Sequence, residues 1–78
     1  MKIQELLRDC RRKKNFSIRK MANYLEVDHA MLYRWETGTQ KPMLTSLLPL
    51  SKKLGISMQD IVNAWLADQD IKSKKTAL

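Results

Sequence analysis

Between Ser17 and Pro42 the chain reads SIRKMANYLEVDHAMLYRWETGTQKP, a spacing of capping, small and apolar residues that dictates two short helices crossing at a steep angle. The first of these is expected from Ile18 to about Leu25, capped by the Ser17 hydroxyl, with Met21, Ala22 and Leu25 facing inward. Ala22 stands where a larger side chain would hold the helices apart. Glu26-Val27 forms the turn, and Asp28 offers a side-chain oxygen to the free N–H groups that open the next helix. Leu32 and Trp35 supply that helix's buried stripe, and Gly38 ends it in a left-handed cap.

The end of this stretch, Arg34-Trp35-Glu36-Thr37-Gly38 and then Lys41-Pro42, resembles the R-W-E-x-G-x-x-x-P signature of the Cro/repressor-type (Xre-like) helix-turn-helix family. The resemblance extends outward. Arg11 lies where that family carries an arginine paired with the acid matching Glu36, and Leu47, Leu50, Leu54-Gly55-Ile56-Ser57 and Ile61 fit its fourth and fifth helices. It implies an all-α, compact five-helix, lambda-repressor-like domain over residues 1–70, with the helix-turn-helix at 18–37 and a dimerising helix at about 58–68. Three positions depart from the family pattern. Glu26 occupies a turn position usually held by Gly, Ile18 stands where a phosphate-contacting Gln is common, and Met43 replaces the usual polar cap of the fourth helix. Pro49 lies where that helix should already be under way. A proline removes a backbone donor and crowds the preceding turn, so the helix is expected either to start late, near Thr45 or Ser46, or to bend.

The 78 residues allow one small core, and 44% hydrophobic content with two Gly and two Pro favours a helical fold over a disordered chain. The net charge of +7 is unevenly spread: residues 1–41 hold ten Lys/Arg against five Asp/Glu, residues 42–70 hold two against three, and residues 71–78 add three Lys. Positive charge therefore coincides with the helix-turn-helix half and the tail, as a double-stranded DNA partner requires. The single cysteine excludes an intramolecular disulfide, and Cys10 falls on the apolar stripe Ile3, Leu6, Leu7, Cys10 of a first helix spanning Lys2 to Lys14, where it reads as a buried reduced thiol. With no membrane-length apolar run and no signal peptide, a cytoplasmic location is expected.

Arg19 and Lys20 lie in the first turn of their helix, where cations oppose the macrodipole; a DNA phosphate docked on that terminus would relieve the conflict. The fifth helix opens on Ser57-Met58-Gln59-Asp60, an acidic variant of the capping box. Its apolar stripe of Met58, Ile61, Val62, Trp65 and Leu66 outlasts the part expected to pack on the domain. In the family the last helix commonly makes a twofold contact, which assigns Ile61, Val62, Trp65 and Leu66 to a homodimer surface; the competing reading folds Trp65 back onto the first helix as monomer core. Residues 71–78 read as a frayed basic tail.

In the docking geometry of this family the N-terminal part of the second motif helix enters the major groove. With Met31, Leu32 and Trp35 committed to packing, the outward set is His29, Ala30, Tyr33 and Arg34, and these are the candidate base contacts. Arg34 leads, because a guanidinium can hold guanine O6 and N7 together. Ser17, Arg19, Lys20, Thr37, Thr39, Gln40 and Lys41 are the candidate phosphate contacts, groups that position a protein on the duplex without reading sequence. Arg11 and Glu36 are expected to form a structural, bidentate pair tying the first helix to the end of the third.

Catalysis finds little support: one His and one Cys cannot make a zinc site of familiar spacing, no glycine-rich phosphate loop is present, and no cofactor or metal is called for. The sequence thus reads as a homodimeric, sequence-specific double-stranded DNA-binding regulator that represses by steric occupancy. The rival is a protein-interaction module, such as an antitoxin-like subunit or adaptor, whose Trp65 stripe binds another protein and whose DNA affinity is incidental.

Overall fold

The computed structural model describes the backbone of residues 1–76 and the side chains of residues 1–67. Five helices follow one another: α1 (Ile3–Lys13), α2 (Ile18–Leu25), α3 (His29–Thr37), α4 (Leu44–Leu54) and α5 (Met58–Thr76). They enclose a core of Ile3, Leu7, Met21, Ala22, Leu25, Leu32, Trp35, Leu47, Leu50, Ile61 and Ala64. Ala22 is 1% exposed, and its small side chain lets α2 close on α3.

Local chemistry fixes where these helices begin and end. Ser17 Oγ accepts from the Lys20 amide at 3.1 Å, and Asp28 Oδ2 accepts from the Ala30 and Met31 amides at 3.0 and 3.3 Å. α1, α2 and α4 stop in one way: a left-handed residue, Asn15, Glu26 or Gly55, turns the chain back so that the next amide, of Phe16, Val27 or Ile56, bonds a carbonyl five residues earlier. Phe16, Val27 and Ile56 are apolar and packed against the core, the hydrophobic contact that accompanies this terminator. Glu26 adopts φ 61°, a conformation that crowds the Cβ of any L-residue. The Val27–Ala22 bond and the packed Val27 side chain fix that turn, and two contacts tie it to α4: Lys53 Nζ lies 2.8 Å from Glu26 Oε2, and the Tyr24 hydroxyl donates to the Lys53 carbonyl at 2.8 Å.

Pro49 does not delay α4, which starts at Leu44 and carries the proline as its sixth residue. The lost amide is the one that would have bonded the Thr45 carbonyl, and Thr45 is exposed, so water can take that acceptor.

The structure revises the reading of α5. Ile61 is fully buried in the monomer core and is not available to a second chain. Trp65 is half-buried, and its Nε1–H donates to the Pro42 carbonyl at 2.8 Å, which ties it to the segment before α4 rather than to α1. Val62 is half-buried against the core, and Leu66 is exposed. α5 runs beyond Asp68 to Thr76, so the backbone of residues 71–76 is helical where a frayed tail was expected; residues 77 and 78 lie outside the described residues. No Gly or Pro interrupts residues 58–76, so nothing in the backbone chemistry stops the helix at Asp68.

Candidate nucleic-acid interface

α3 divides its residues by helical period. Leu32, Trp35 and Glu36 are buried and Met31 is half-buried, which leaves two outward rows, His29–Tyr33 and Ala30–Arg34–Thr37. His29, Tyr33, Arg34 and Thr37 are exposed, Tyr33 to 57%, and Ala30 is half-buried. A residue pair from α1 fixes how this helix sits. Arg11 Nε donates to both Glu36 carboxylate oxygens, at 2.8 and 3.1 Å, while Arg11 Nη1 donates to the Phe16 carbonyl at 3.0 Å. The contact differs from a two-nitrogen fork: one nitrogen serves the acid and the other braces the α1–α2 loop. The carboxylate is almost wholly buried, with 4% of the side chain exposed against 18% for Arg11.

Two further α1 residues meet the end of α3, and sequence reasoning passed over both. Arg8 Nη1 donates to the Glu36 carbonyl at 3.4 Å, and the Gln4 side chain lies against Gly38 so closely that a Cβ there would clash with its amide. Gln4, Arg8 and Arg11 stand at i, i+4 and i+7, a polar row beside the apolar stripe of α1. That period was the available signal.

The loop after α3 folds back on the helix. Thr37 Oγ1 lies 3.3 Å from the Arg34 carbonyl and 3.0 Å from Thr39 Oγ1, while the Gln40 amide donates to the Arg34 carbonyl at 3.2 Å. Gly38, at φ 82°, makes the reversal possible, and the fully buried Pro42 anchors its far end. The Gln40 side-chain carbonyl accepts from Arg34 Nε at 3.3 Å. Arg34, Thr37, Thr39 and Gln40 thus form one connected cluster, and Lys41 is half-buried beside it.

At the start of α2, the Ser17 oxygen that caps the helix keeps its own proton for an outside acceptor. Lys20 Nζ lies 4.7 Å from the centre of the Phe16 ring, and Lys14 Nζ lies 4.7 Å from that of Tyr24, whose ring packs edge-on to Phe16. The ring faces supply the negative potential that the helix terminus denies Lys20. Arg19 is exposed and has no partner among the described residues. The three acids between residues 17 and 41 are all engaged, Glu26 by Lys53, Asp28 as a cap and Glu36 by Arg11, so among the described residues none of these three carboxylates is left over to offset Arg19 and Lys20. The Lys53 hydrogen bond and charge hold the Glu26 carboxyl below its ordinary value.

Among the described residues no group of three or more His, Cys, Asp or Glu is placed to hold a metal, and no helix is long and apolar enough to cross a membrane. Comparison with curated proteins and with solved structures returned no significant match. The helix-turn-helix family model matches residues 7–61, from the buried Leu7 of α1 to the buried Ile61 of α5, and so takes in the Arg11–Glu36 pair and both motif helices. With five helices, a capped α2–α3 pair and that match across most of its length, the chain belongs to the Cro/repressor-type (Xre-like) helix-turn-helix family of DNA-binding transcription regulators.

Proposed function

We propose that the chain is a homodimeric, sequence-specific repressor that lays α3 in the major groove of double-stranded DNA and blocks transcription by occupying its site. The observation that carries this reading is the outward face of α3, where His29, Ala30, Tyr33 and Arg34 are presented by a helix whose buried side is fully committed to the core. Arg34, His29 and Tyr33 would meet base edges, and Ala30 would offer a methyl to thymine. Ser17, Arg19, Lys20, Thr37, Thr39 and Lys41 would flank the groove and meet phosphates, and the spare N–H groups of the Gln40 amide would do the same.

For the second copy, an apolar surface remains after Ile61 and Trp65 are satisfied within the monomer: Leu66 on α5 with Met43, which caps α4, and Leu44 and Leu48 on α4, exposed to 46, 70, 55 and 49%. The Trp65–Pro42 bond brings the Leu66 turn beside the start of α4. Residues 42–51 carry no charge, which suits contact between two copies of a chain bearing +7.

A light-scattering mass together with a gel shift on the protein's own upstream region, run at several salt concentrations, tests both halves. A dimer mass and a shift that weakens steeply with salt on every duplex but persists longest on one sequence are expected. A monomer that shifts all duplexes equally would refute the reading. A second reading, a protein-interaction module with incidental DNA affinity, is favoured by the open groove of about 590 Å³ between α1 and the α4–α5 end, whose lining mixes apolar residues such as Leu6, Leu54 and Ile56 with Lys13, Asp60 and Asn63. It would be supported by loss of function on filling that groove with DNA binding intact.

A further inference from the structure

We propose that Gln40 is a positioning residue for base readout: its side-chain carbonyl holds the Arg34 guanidinium by Nε, so that the two terminal nitrogens project together as a fork. The proposal rests on the reading of Arg34 as a base contact and adds what determines its aim. Three observations combine. Arg34 Nε donates to Gln40 Oε1 at 3.3 Å, and because a guanidinium has donors only, the amide must present its oxygen to it. Gln40 is itself fixed on Arg34 by a second bond, from its backbone amide to the Arg34 carbonyl at 3.2 Å. The third is the width of this terminator. α1, α2 and α4 close with an amide bonded to the carbonyl five residues back, whereas α3 closes over six, from Gln40 to Arg34.

The extra residue matters geometrically. It carries the chain past the helix end far enough for position 40, rather than 39, to lie over Arg34, while Gly38 at φ 82° and the buried Pro42 hold the loop from both sides. A free arginine side chain samples many rotamers and loses that freedom on binding; one already held at Nε loses less. The pairing also selects a mode of contact. With Nε occupied, Arg34 can meet guanine O6 and N7 only end-on, through its two terminal nitrogens, and not side-on through Nε.

The test is selection of a duplex from a randomised pool by the full-length chain, followed by binding of wild type, Gln40→Ala, Gln40→Glu, Arg34→Ala and the Arg34→Ala/Gln40→Ala double variant to the selected and a scrambled duplex. Gln40→Ala should lower the ratio of selected to scrambled affinity roughly two- to tenfold, the scale of immobilising one rotamer-rich side chain. Gln40→Glu keeps the oxygen, so it should weaken both duplexes through its charge and preserve the ratio. In the Arg34→Ala background, Gln40→Ala should leave the selected-to-scrambled ratio where Arg34→Ala put it, any further loss from its phosphate contact falling on both duplexes alike. The Arg34 Nε–H resonance of the DNA-free protein should move on Gln40→Ala and keep its place on Arg12→Ala. Equal losses on both duplexes for Gln40→Ala, a further fall in the selected-to-scrambled ratio without Arg34, or an unmoved Nε–H resonance would each overturn the role of Gln40 alone. A pool from which nothing is enriched would overturn the parent reading of α3 and this proposal with it.

Discussion

Replacing Glu36 by alanine should cost this domain a large share of its stability. The carboxylate accepts twice from Arg11 Nε, and only 4% of its side chain meets solvent. Removing one partner of a desolvated pair costs about 3–5 kcal/mol, most of it from the charge left behind. Here the survivor is Arg11, 18% exposed and still bonded to the Phe16 carbonyl, so the guanidinium can turn partly to water. That places the loss near the low end, about 3 kcal/mol. A domain of 78 residues has roughly 4–12 kcal/mol in total, and the corresponding drop in Tm is roughly 12–24 °C. Urea and thermal unfolding followed by the fluorescence of Trp35 and Trp65 give the measurement. Arg11→Met with Glu36→Leu removes both charges and should recover part of the loss, limited by the donor that Phe16 no longer has. A Tm shift for Glu36→Ala of only ~2 °C, equivalent to less than ~0.5 kcal/mol, would refute the claim that this pair locks α3 to α1.

Trp65→Phe keeps an aromatic side chain but removes the indole N–H that bonds the Pro42 carbonyl and part of the packed ring; a loss of at least about 1 kcal/mol with the wild-type sedimentation mass unchanged is expected by chemical unfolding and sedimentation, and a reduced mass with undiminished stability would place Trp65 in a contact between copies instead. Glu26→Gln removes a carboxylate whose value is lowered by Lys53, so the pair's contribution is present above the ordinary carboxylate range and lost as pH falls through the lowered value. The Tm gap between Glu26→Gln and wild type should therefore close in acid, and a gap that stays constant down to low pH would exclude the ion pair as its source. Burial pushes the Cys10 thiol up, against the opposing pull of Lys13, so iodoacetamide should modify it more slowly in the native chain than in urea. Equal rates would show an open thiol.

What the sequence made legible depended on whether a residue's neighbours along the chain decide its role. Ser17 and Asp28 cap the helices that follow them, and Met21, Ala22, Leu25, Leu32 and Trp35 are buried where the helical period puts them. α5 was read less well because a period tells which residues share a face but not what covers it. Its stripe centres on Ile61 and Ala64, with Trp65 reaching sideways to a carbonyl 23 residues earlier, and Ala64 carries too little apolar weight to have drawn notice. Glu26 stood out as the occupant of a turn position usually held by Gly and does take the left-handed conformation, whereas Asn15 went unweighed, because a left-handed residue that is not glycine leaves no mark in composition.

The outward face of α3 was found by elimination: once Leu32, Trp35 and Glu36 are inside, period alone leaves His29, Ala30, Tyr33 and Arg34 outside. What elimination cannot supply is the conformation of a long side chain on that face. Arg34 and Gln40 were assigned separately, one to a base and the other to a phosphate, because six residues with a glycine between them set no fixed distance. Their contact requires Gly38 in the left-handed region, Gln4 filling the space beside it from α1, and Pro42 buried against the core. Each condition comes from a different part of the fold. The residues facing the groove are therefore a local property of one helix, while the direction in which the longest of them points is a property of the whole domain. A substitution at Gln4 that pushes into the Gly38 loop should then alter sequence preference, read as the ratio of selected to scrambled affinity, from a residue on α1.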